Sequence, residues 1–470
     1  MSLRLHDTLT RRLQTVTPLE PGHVRLYTCG PTVWNRSHIG NFRTFLFEDV
    51  LRRWLERSFP RVTHVMNLTD VDDRLIGNAT QHAHGLAEET APWIEGFFAD
   101  VDTLGIRRAH HYPRATGYIE EMVTLIERLE AKGVTYRSEG GTYFRIAGFP
   151  AYGRLSGIPA AGLVAGMSGR VDADDYTKED ARDFALWKTV GADDIGWDTR
   201  LGRGRPGWHI ECSAMSMTLL GESLDIHCGG VDNIFPHHEN EIAQSEAATG
   251  KPFVRIWCHG EHLTMNREKM AKRLGNFVTL PDLLEAGYRA PAIRYLLITG
   301  AHYRRTLDWD DEPLRAADEA VGRLTEFRDR VRDLRPGDGG EEISTRAAAA
   351  AAAFAQAMDD DLNVPEAVGH LFGAIRDLNR LLDAATPSAA VKQQLIDLVD
   401  QADDVLGVLP LVDRERAGSA LNPEEEELLA QRVAARTARD FAESDRIRAQ
   451  LLERGIMVED TAQGQRWKRA

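Results

Sequence analysis

The N-terminal part of the chain sets the strongest constraint on the fold, because two strand-like runs flank one helical run. Residues 23–28 (HVRLYT) alternate, and residues 62–68 (VTHVMNL) are apolar and rich in β-branched side chains. Between them, FRTFLFEDVLRRWLER at 42–57 has apolar side chains at helical spacing. A strand, a helix and a strand in this order predict the start of a parallel α/β sheet. The connecting loop at 29–41 (CGPTVWNRSHIGN) lacks the glycine pattern of a dinucleotide-binding turn.

The rest of the chain predicts an interrupted sheet domain followed by helices. A helix, a hairpin-like run (VTYRSEGGTYFRI) and a glycine-rich stretch interrupt the α/β pattern before it resumes. RAAAAAAAFAQAM at 346–358 has high intrinsic helix propensity, and 409–423 has the composition of a linker. The predicted domains are the first half of the sheet domain at 1–110, an insertion at 111–200, the second half at 201–310, a helical bundle at 311–408 and a small C-terminal unit at 424–470.

The composition is that of an ordinary globular protein with an acidic balance. The 470 residues carry 57 Lys and Arg against 72 Asp and Glu, a net charge of −15. Taken alone, this balance argues against a nucleic-acid partner, although a local basic surface can still bind phosphates. The chain has no apolar run of transmembrane length, so we expect no membrane partner. Four scattered cysteines do not suggest a disulfide framework, and they fit a reducing cytoplasm.

Two short segments carry groups that suit phosphate binding. SHIG at 37–40 lies at the predicted start of the first helix, where backbone N–H groups and the helix dipole favour phosphate oxygens. Gly40 lets a ligand approach the backbone, and His38 can donate a hydrogen bond. In KMAKRLGN, Lys269 and Lys272 suit a polyphosphate clamp. For each segment alone, a turn cap or a solvated basic turn is the better interpretation.

A third group has the chemistry of a zinc site. His237 and Glu241 are four residues apart in FPHHENEIAQ, so a helix would put both on one face. Cys212 in GWHIECSAM and Cys29 at the end of the first strand add two thiols, and all four groups are good zinc ligands. The positions are too dispersed for a zinc finger. On these residues alone, two buried cysteines and a helix-surface pair are the favoured alternative.

Together, the HIG and KMAK segments resemble the two signatures of the class I aminoacyl-tRNA synthetases, which flank one ATP. Asn41 replaces the usual final histidine of the first signature, and Ala271 and Arg273 replace the usual serines of the second. From about residue 20 to its end, the chain resembles the cysteinyl-tRNA synthetases. The matching stretches are YTCGPTVWNRSHIGN, NLTDVDD, DFALWK, GWHIECSAM, DIHCGGVDNIFPHHENEIAQ, EKMAKRLGN, DDDLNVPEA and RVAARTARDFAESDRIRAQLLERGIMVEDT.

The resemblance implies a fold and a metal. The implied fold is a Rossmann-like doubly wound parallel sheet with an inserted connective domain, followed by a helical bundle and a small anticodon-binding domain. The implied metal is one Zn²⁺ per chain, held by Cys29, Cys212, His237 and Glu241. We expect the substrate sulfur to join these ligands or to displace one, with Glu241 as the first candidate.

The motif positions also imply roles for other residues. The implied cysteine-binding residues are Cys29, Gly30, Thr32, Asn67, Thr69 and Trp208. The implied ATP-binding residues are His38, Gly40, Asn41, Gly230, Asp232 and Lys272, with Mg²⁺ accompanying ATP. The implied catalytic residues are His38, Lys269 and Lys272, which would stabilise charge on the triphosphate. Core packing is the alternative for Trp208, and a turn or cap is the alternative for Asp232.

The implied activity is that of a cysteine–tRNA ligase. The cysteine carboxylate attacks the α-phosphorus of ATP, and the resulting cysteinyl-adenylate passes its cysteinyl group to the 3′ end of tRNA(Cys). Zinc favours a thiolate over the harder serine hydroxyl, so the metal would select cysteine where a plain pocket discriminates poorly. We expect a cytoplasmic monomer whose partners are ATP, L-cysteine and tRNA(Cys).

The C-terminal residues have the charge expected of a tRNA-binding surface. Residues 431–470 hold nine Lys and Arg and six Asp and Glu. Trp467 is a candidate for stacking on an unpaired base. The candidate phosphate contacts are Arg432, Arg436, Arg439, Arg446 and Arg448. A solvated helix face with a packed tryptophan explains the same residues nearly as well.

Two other functions stay open at this point. A cysteine ligase that joins activated cysteine to an amino sugar in mycothiol synthesis resembles the catalytic part, but its family pattern lacks the full C-terminal unit. An inactive paralogue that binds zinc or RNA would explain the altered KMAK segment. The retained His38, Lys269 and Lys272 argue against that paralogue.

Overall fold

A computed structural model describes residues 2–159, 178, 180, 182–265, 268–270, 277–419, 422–461 and 464–469. The chain begins with an antiparallel hairpin and continues into the predicted strand–helix–strand unit. Its elements are β1 (Arg4–Asp7), β2 (Arg12–Thr15), β3 (His23–Thr28), α1 (Ile39–Ser58), β4 (Arg61–Met66), α2 (Asp73–His82) and α3 (Leu86–Thr103). The first strand and helix are confirmed, and the second strand ends at Met66, before the predicted residue 68.

The predicted insertion combines one amphipathic helix with an antiparallel sheet. Its elements are α4 (Ile119–Ala131), β5 (Thr135–Ser138), β6 (Gly141–Phe144), β7 (Phe184–Thr189), β8 (Trp197–Thr199) and β9 (Gly202–Pro206), with short 3-10 helices at Ala115–Tyr118 and Ile146–Gly148. The described strands have the order β5-β6-β7-β9-β8, and each neighbouring pair is antiparallel. Pairing of β5 with β6 confirms the hairpin predicted from the sequence.

The α/β pattern then resumes with a helix and two buried strands. The elements are α5 (Trp208–Leu220), β10 (Leu224–Gly230), α6 (Val231–Asn233), a π turn (Ile234–His238), α7 (Glu239–Thr249), β11 (Val254–Gly260), β12 (Leu263–Met265), β13 (Glu268–Lys269), α8 (Leu280–Glu285), α9 (Ala290–Thr299) and β14 (Leu307–Trp309). Gly250 caps the end of α7 in the left-handed conformation, as its position after the helical run predicts.

The central sheet is parallel and has the strand order β11-β10-β3-β4. Its register sets Leu26 of β3 between His64 of β4 and Ile226 of β10. The strands are buried along most of their length, as expected for a parallel sheet covered on both faces. This sheet, with helices packed around it, confirms the predicted doubly wound class.

The helices after the sheet form the predicted bundle. They are α10 (Asp311–Asp333), α11 (Glu341–Asp359), α12 (Val364–Ala384) and α13 (Ala389–Leu406). The alanine tract at 346–358 lies inside α11, which confirms its helix propensity. Among the described residues, none of the helices combines the length and the apolar content needed to cross a membrane.

A buried arginine ties α9 to α1 and to the end of the bundle. Arg294 is fully buried, and it donates to the Asp49 carboxylate at 2.6 Å and to the carbonyl of Leu104 at 2.9 Å. It also donates to the carbonyl of Leu406. Burial disfavours a charged Asp49, but Arg294 and Arg53 outweigh it and lower the pKa of that carboxyl. The pair therefore stays ionised inside the protein, where each charge needs the other.

Residues 409–470 form a separate compact unit. Its elements are α14 (Leu409–Ser419), α15 (Pro423–Thr437), α16 (Phe441–Glu453), β15 (Ile456–Thr461) and β16 (Gly464–Arg469). The linker predicted at 409–423 was wrong over the span of α14, because Leu411 and Val412 are buried and Pro410 lies in the first helical turn, where proline is tolerated.

One predicted phosphate contact of this unit is also wrong. Arg432 is fully buried, and its guanidinium donates to Oε1 of Gln465 in β16 at 2.6 Å. It therefore helps to join α15 to the C-terminal hairpin. Trp467 is exposed, as stacking on a base would require.

Candidate active site

The strand order predicts a ligand-binding crevice at the carboxyl ends of β3 and β10. The chain continues from β3 to β4 on one side and from β10 to β11 on the other, so the winding direction reverses between β3 and β10. Ligands of open α/β sheets bind outside the strand ends at such a reversal. Cys29 directly follows β3, and its backbone N–H donates to the carbonyl of Cys228 at 3.1 Å. Cys29 therefore lies where the topology predicts a ligand site.

The four predicted metal ligands come together at this crevice. Cys29 follows β3, Cys212 lies in α5, His237 lies in the π turn and Glu241 lies in α7. Their ligand atoms all lie within 4.8 Å of one another. All four side chains are buried, and the most accessible, Cys29, is only 9% exposed. Despite the bend before α7, Nε2 of His237 lies 3.1 Å from Oε1 of Glu241.

Opposite charges stabilise one another within this cluster. Burial disfavours a charged Glu241, but His227 and His237 outweigh it and lower the pKa of Glu241 to about 2. Burial also disfavours a protonated His237, whereas Glu241 and Cys212 raise its pKa to about 9. A hydrogen bond from Cys29 lowers the pKa of Cys212 to about 6, while burial raises the pKa of Cys29. Cys212 is therefore the more readily ionised thiol.

The donor set fits Zn²⁺ on two independent grounds. Two thiols, an imidazole and a carboxylate are groups that Zn²⁺ binds well. In addition, Oε1 of Glu241 is buried and accepts no hydrogen bond of good geometry, although His237 lies close to it. An ion pair without a well-aligned hydrogen bond satisfies a buried carboxylate oxygen poorly, and a metal ion beside it would improve that balance.

A second set of donors shares two residues with the first. Cys29, His227, His238 and Glu241 also have their ligand atoms within 4.8 Å of one another. Nε2 of His227 lies 3.0 Å from Oε2 of Glu241, and Nε2 of His238 lies 3.3 Å from Sγ of Cys29. Neither histidine is among the predicted ligands. For His227, the sequence offered one indication: the histidine lies inside the buried strand LDIHCGG, where an imidazole without a partner would be costly.

Aromatic and polar groups orient these two histidines. His227 stacks on Trp257, with ring centroids 4.6 Å apart. Nδ1 of His238 lies 2.8 Å from Nε2 of His259, whose Nδ1 lies 2.8 Å from Oγ1 of Thr8. Burial lowers the pKa of His238 and lowers the pKa of His259 to about 3. The chain of neutral imidazoles therefore reaches from Thr8 to the thiol of Cys29.

The loop after β3 is tied to the loop after β4. Oδ1 of Asn67 accepts the backbone N–H of Gly30 at 3.0 Å, and Nδ2 of Asn67 donates to Oγ1 of Thr69 at 3.1 Å. Thr32 and Thr69 form a parallel β-bridge. A Cβ at Gly30 would lie 1.9 Å from the carbonyl oxygen of Asn67, so this approach requires glycine. These four predicted cysteine-binding residues therefore lie together beside Cys29.

Trp208 begins α5 and covers one face of His237. The two rings are stacked, with centroids 4.3 Å apart and planes 17° apart. Nδ1 of the adjacent His209 lies 3.1 Å from Nδ1 of His237, and Gln244 donates to the carbonyl of His209 at 2.8 Å. Trp208 is only half-buried, so it packs against the cluster and still presents accessible surface.

The HIG segment forms the start of α1. His38 is the N-cap, and its Nδ1 accepts the backbone N–H of Asn41 at 3.2 Å. Oδ1 of Asn41 accepts the backbone N–H of His38 at 3.1 Å, which completes a reciprocal capping box. A Cβ at Gly40 would lie 2.9 Å from Nδ1 of His38, so glycine leaves room for the imidazole. Three predicted ATP-binding residues thus share one helix N-terminus.

Residues just beyond the second signature lie against the HIG segment. The backbone N–H of Ile39 donates to the carbonyl of Val278 at 2.9 Å, and His38 pairs with Thr279 in an antiparallel bridge. The rings of His38 and Phe277 meet edge to face, with centroids 5.2 Å apart. The HIG segment is therefore in contact with residues 277–279, which follow the KMAK segment in the sequence.

The lysine loop is described only in part. The backbone of Lys269 in β13 pairs with that of Thr264 in β12. Lys272, together with Ala271 and Arg273, lies outside the described residues. The roles of both lysines stay predictions.

The remaining predicted nucleotide contacts lie at the end of β10. Gly230 is the last residue of that strand and pairs with Gly260 of β11. Asp232 follows in α6, is 57% exposed and has its Oδ1 3.4 Å from Nε2 of His262. A Cβ at Gly230 would meet nothing closer than 3.7 Å, so contacts within the chain do not require glycine there. Asp232 is accessible to a ligand, in contrast to the buried side chains that are predicted to hold a metal.

Models of three protein families match successive parts of the chain. Residues 15–319 match the class I (C) catalytic domain of tRNA synthetases, and residues 353–410 match the DALR domain. Residues 419–467 match the cysteinyl-tRNA ligase anticodon-binding domain. The three matches follow the order of the sheet domain, the bundle and the C-terminal unit.

Full-length relatives and a solved structure are also similar to the chain. A cysteine–tRNA ligase of Solibacter usitatus is 45% identical over 470 residues, which are 100% of both chains. A cysteine–tRNA ligase of Protochlamydia amoebophila is 43% identical over 99% of this chain and 98% of its own. Mycobacterium tuberculosis methionyl-tRNA synthetase with methionyl-adenylate has a TM-score of 0.61 at 14% identity, over 82% of this chain and 90% of that one. The structural likeness shows the fold alone.

Proposed function

The chain belongs to the cysteine–tRNA ligase family of class I aminoacyl-tRNA synthetases, and we propose that it selects its cysteine with a Zn²⁺ held by Cys29, Cys212, His237 and Glu241. Charging of tRNA with cysteine at the expense of ATP follows from the family. The metal, its ligands and the roles of the other site residues are the proposal. It is carried by the convergence of four donors within 4.8 Å at the reversal point of the sheet.

A Zn²⁺ held by these four side chains would give the site its selectivity for cysteine over serine. Zn²⁺ bound there would lower the pKa of a coordinating thiol and bind the substrate sulfur as a thiolate, which a serine hydroxyl cannot match. Glu241 is the ligand best suited to give way, because Oε2 already has a partner in His227 and Oε1 has none of good geometry. Stacking on Trp208 holds the ring of His237 in place.

The loops after β3 and β4, which are joined beside Cys29, would orient the rest of the substrate amino acid. Gly30 and Thr32 line the loop, while Asn67 and Thr69 hold it in position. An amino acid fixed by its sulfur at one end and by this loop at the other has its carboxylate directed toward the nucleotide. Such orientation is the main requirement of the first step, because the nucleophile is already an anion and needs no general base.

The start of α1 supplies the phosphate side. Backbone N–H groups of the first turn and the positive end of the helix dipole favour phosphate oxygens. We assign His38, Gly40 and Asn41 to the triphosphate, with Lys269 and Lys272 closing over it and Mg²⁺ accompanying ATP. Gly230 and Asp232 are assigned to the adenosine.

The C-terminal unit is assigned to tRNA(Cys). It matches an anticodon-binding domain. Arg432 is buried, but Arg436, Arg439, Arg446 and Arg448 are exposed, as is Trp467. This unit is also what favours tRNA over an amino sugar as the acceptor. We place the reaction in the cytoplasm, where the four free cysteines would stay reduced, and expect a monomer to carry it out.

The proposal is tested by cysteine-dependent ATP–pyrophosphate exchange and then by charging of tRNA(Cys). We expect Cys212→Ala to lose its zinc and to lower exchange by more than the roughly 10–100-fold that removal of an outer partner costs. Cys258→Ala is the matched control, because Cys258 is equally buried and belongs to neither donor set. It should keep both zinc and exchange.

Three results would overturn parts of the proposal. Zinc-loaded wild-type protein without exchange would refute the activity. Exchange without tRNA charging, but with transfer to an amino sugar, would identify the rival ligase. A Cys212→Ala variant with full zinc content and full exchange would refute the ligand set.

A further inference from the structure

A second cluster of metal-binding side chains lies at the corner between α2 and α3. Nδ1 of His82 lies 2.9 Å from Oε2 of Glu89, and Nδ1 of His84 lies 3.3 Å from the same oxygen. One ligand atom from each of the three residues lies within 4.8 Å of those of the other two. The cluster has no residue in common with either donor set of the candidate active site.

The backbone at this corner brings the two imidazoles to one side. Ala83, which separates them, adopts the left-handed conformation with φ of 55°. Its N–H donates to carbonyls of the last turn of α2, and the N–H of His84 donates to the carbonyl of Ala79 at 2.9 Å. A non-glycine residue in this region is uncommon. These hydrogen bonds to the last turn of α2 fix the positions of His82 and His84 relative to each other.

Exposure and charge at the corner suit a cation. The carboxylate of Glu89 is only 6% exposed, whereas His82 and His84 are 50% and 41% exposed. The buried oxygen therefore forms the base of the cluster, and the imidazoles form its solvent side. The cluster lies between the negative end of the α2 dipole and the positive end of the α3 dipole, so the side chains rather than the helix dipoles supply the charge. Glu88 adds a further carboxylate, 3.8 Å from Nε2 of His84.

We propose that His82, His84 and Glu89 form a second metal site, for a divalent cation of the Zn²⁺, Co²⁺ or Ni²⁺ class. Two imidazoles and one carboxylate are a ligand set for these ions, with water or Glu88 at the open position. Donor atoms about 3 Å apart need little movement to surround an ion whose ligand bonds are about 2 Å long. The bound ion would join the end of α2 to the start of α3.

The alternative is an ion pair in which a protonated histidine meets Glu89, and cobalt spectroscopy distinguishes the two. Full-length protein is stripped with a chelator and titrated with Co²⁺. The thiolate site should give intense sulfur-to-metal charge-transfer absorption, whereas the second site should give only weak visible bands. We expect wild-type protein to bind two equivalents of Co²⁺.

The variant His82→Ala/His84→Ala should lose the equivalent of Co²⁺ that gives only weak visible bands, and it should keep the charge-transfer absorption. Its Zn²⁺ affinity at this site should fall by more than the roughly 10–100-fold that removal of an outer partner costs. His370→Ala is the matched control, because His370 is similarly exposed and lies 3.6 Å from Glu366 but belongs to no cluster of three donors among the described residues. It should retain both equivalents.

Pyrophosphate exchange separates this proposal from the function of the active site. The double variant should exchange at the wild-type rate, since neither histidine belongs to that site. Removing half-exposed imidazoles leaves the core intact, and circular dichroism checks the fold. A single equivalent with charge-transfer absorption in wild-type protein, or the same Co²⁺ titration in the double variant, would overturn the second site.

Discussion

The two ends of the candidate active site differ in how far the chain completes them by itself. At the proposed amino-acid end, Cys212, His237 and Glu241 are all at most 1% exposed and partner one another. At the proposed nucleotide end, the side chain of Asp232 is 57% exposed and His38 is half-buried at a helix N-terminus. One end is a dense cluster of side chains, and the other is mainly backbone and accessible polar groups.

This difference teaches how the two ligands would be recognised. Desolvation of the buried donors is completed during folding, so a small substrate would meet groups that are already oriented. The nucleotide end relies on N–H groups and a helix dipole, which are fixed by α1 whether or not a ligand is bound. We therefore expect changes at the amino-acid end to affect metal and cysteine, and changes at the nucleotide end to affect ATP.

The largest expected effect at the nucleotide end comes from His38→Ala. We expect kcat of cysteine-dependent exchange to fall by about 10²-fold or more, because one donor to the developing phosphate charge is lost. Loss of the N-cap should also cost about 1 kcal/mol of stability. Zinc content, measured by atomic absorption, should not change.

His38→Asn separates the two roles of this residue. Asparagine is a strong N-cap, so the melting temperature should return toward the wild-type value while exchange stays slow. A wild-type exchange rate in His38→Asn would show that His38 acts only as a cap, which would remove the sharpest contrast between the two ends.

At the amino-acid end, His227→Ala should weaken zinc binding by about 10–100-fold, because His227 orients Glu241 from outside the proposed ligand set. Competition with a coloured chelator measures the affinity, and ATP binding should not change. His227→Gln retains a donor and should recover part of the affinity. Equal zinc affinity in wild-type and His227→Ala protein would show that Glu241 needs no such support.

The smallest expected effect comes from Asp232→Asn. Loss of one accessible hydrogen bond to the nucleotide should cost about 1 kcal/mol, which corresponds to about a fivefold rise in the KM for ATP. The KM for cysteine is the internal control and should be unchanged. A change in the KM for cysteine alone would place Asp232 at the wrong end of the site.

The parts of the molecule that the sequence predicted are those governed by local pattern. Strand and helix runs around the loop at 29–41 predicted the parallel sheet, and the i, i+4 spacing predicted that His237 would face Glu241. The resemblance implied the four metal donors, which the structure brings together. The roles of these residues stay predictions.

The parts that were missed depend on distant contacts. His227 and His238 face Cys29 and Glu241 only because β10 and the π turn meet there, and no spacing in the sequence encodes that meeting. Arg432 was assigned to the surface from its charge, but Gln465 from the last strand gives it a buried partner. The helix α14 was missed because its proline and charged residues resemble a linker more than a half-buried helix.

The close approach at Gly30 also limits how this pocket can be redesigned. With only 1.9 Å between a Cβ there and the carbonyl oxygen of Asn67, every other amino acid would push the two strand ends apart. A library that randomises the loop at 29–41 to change amino-acid specificity should therefore keep Gly30 fixed, whatever substrate is selected. Trp208 and Thr32 are better positions for such variation, because both residues keep accessible surface.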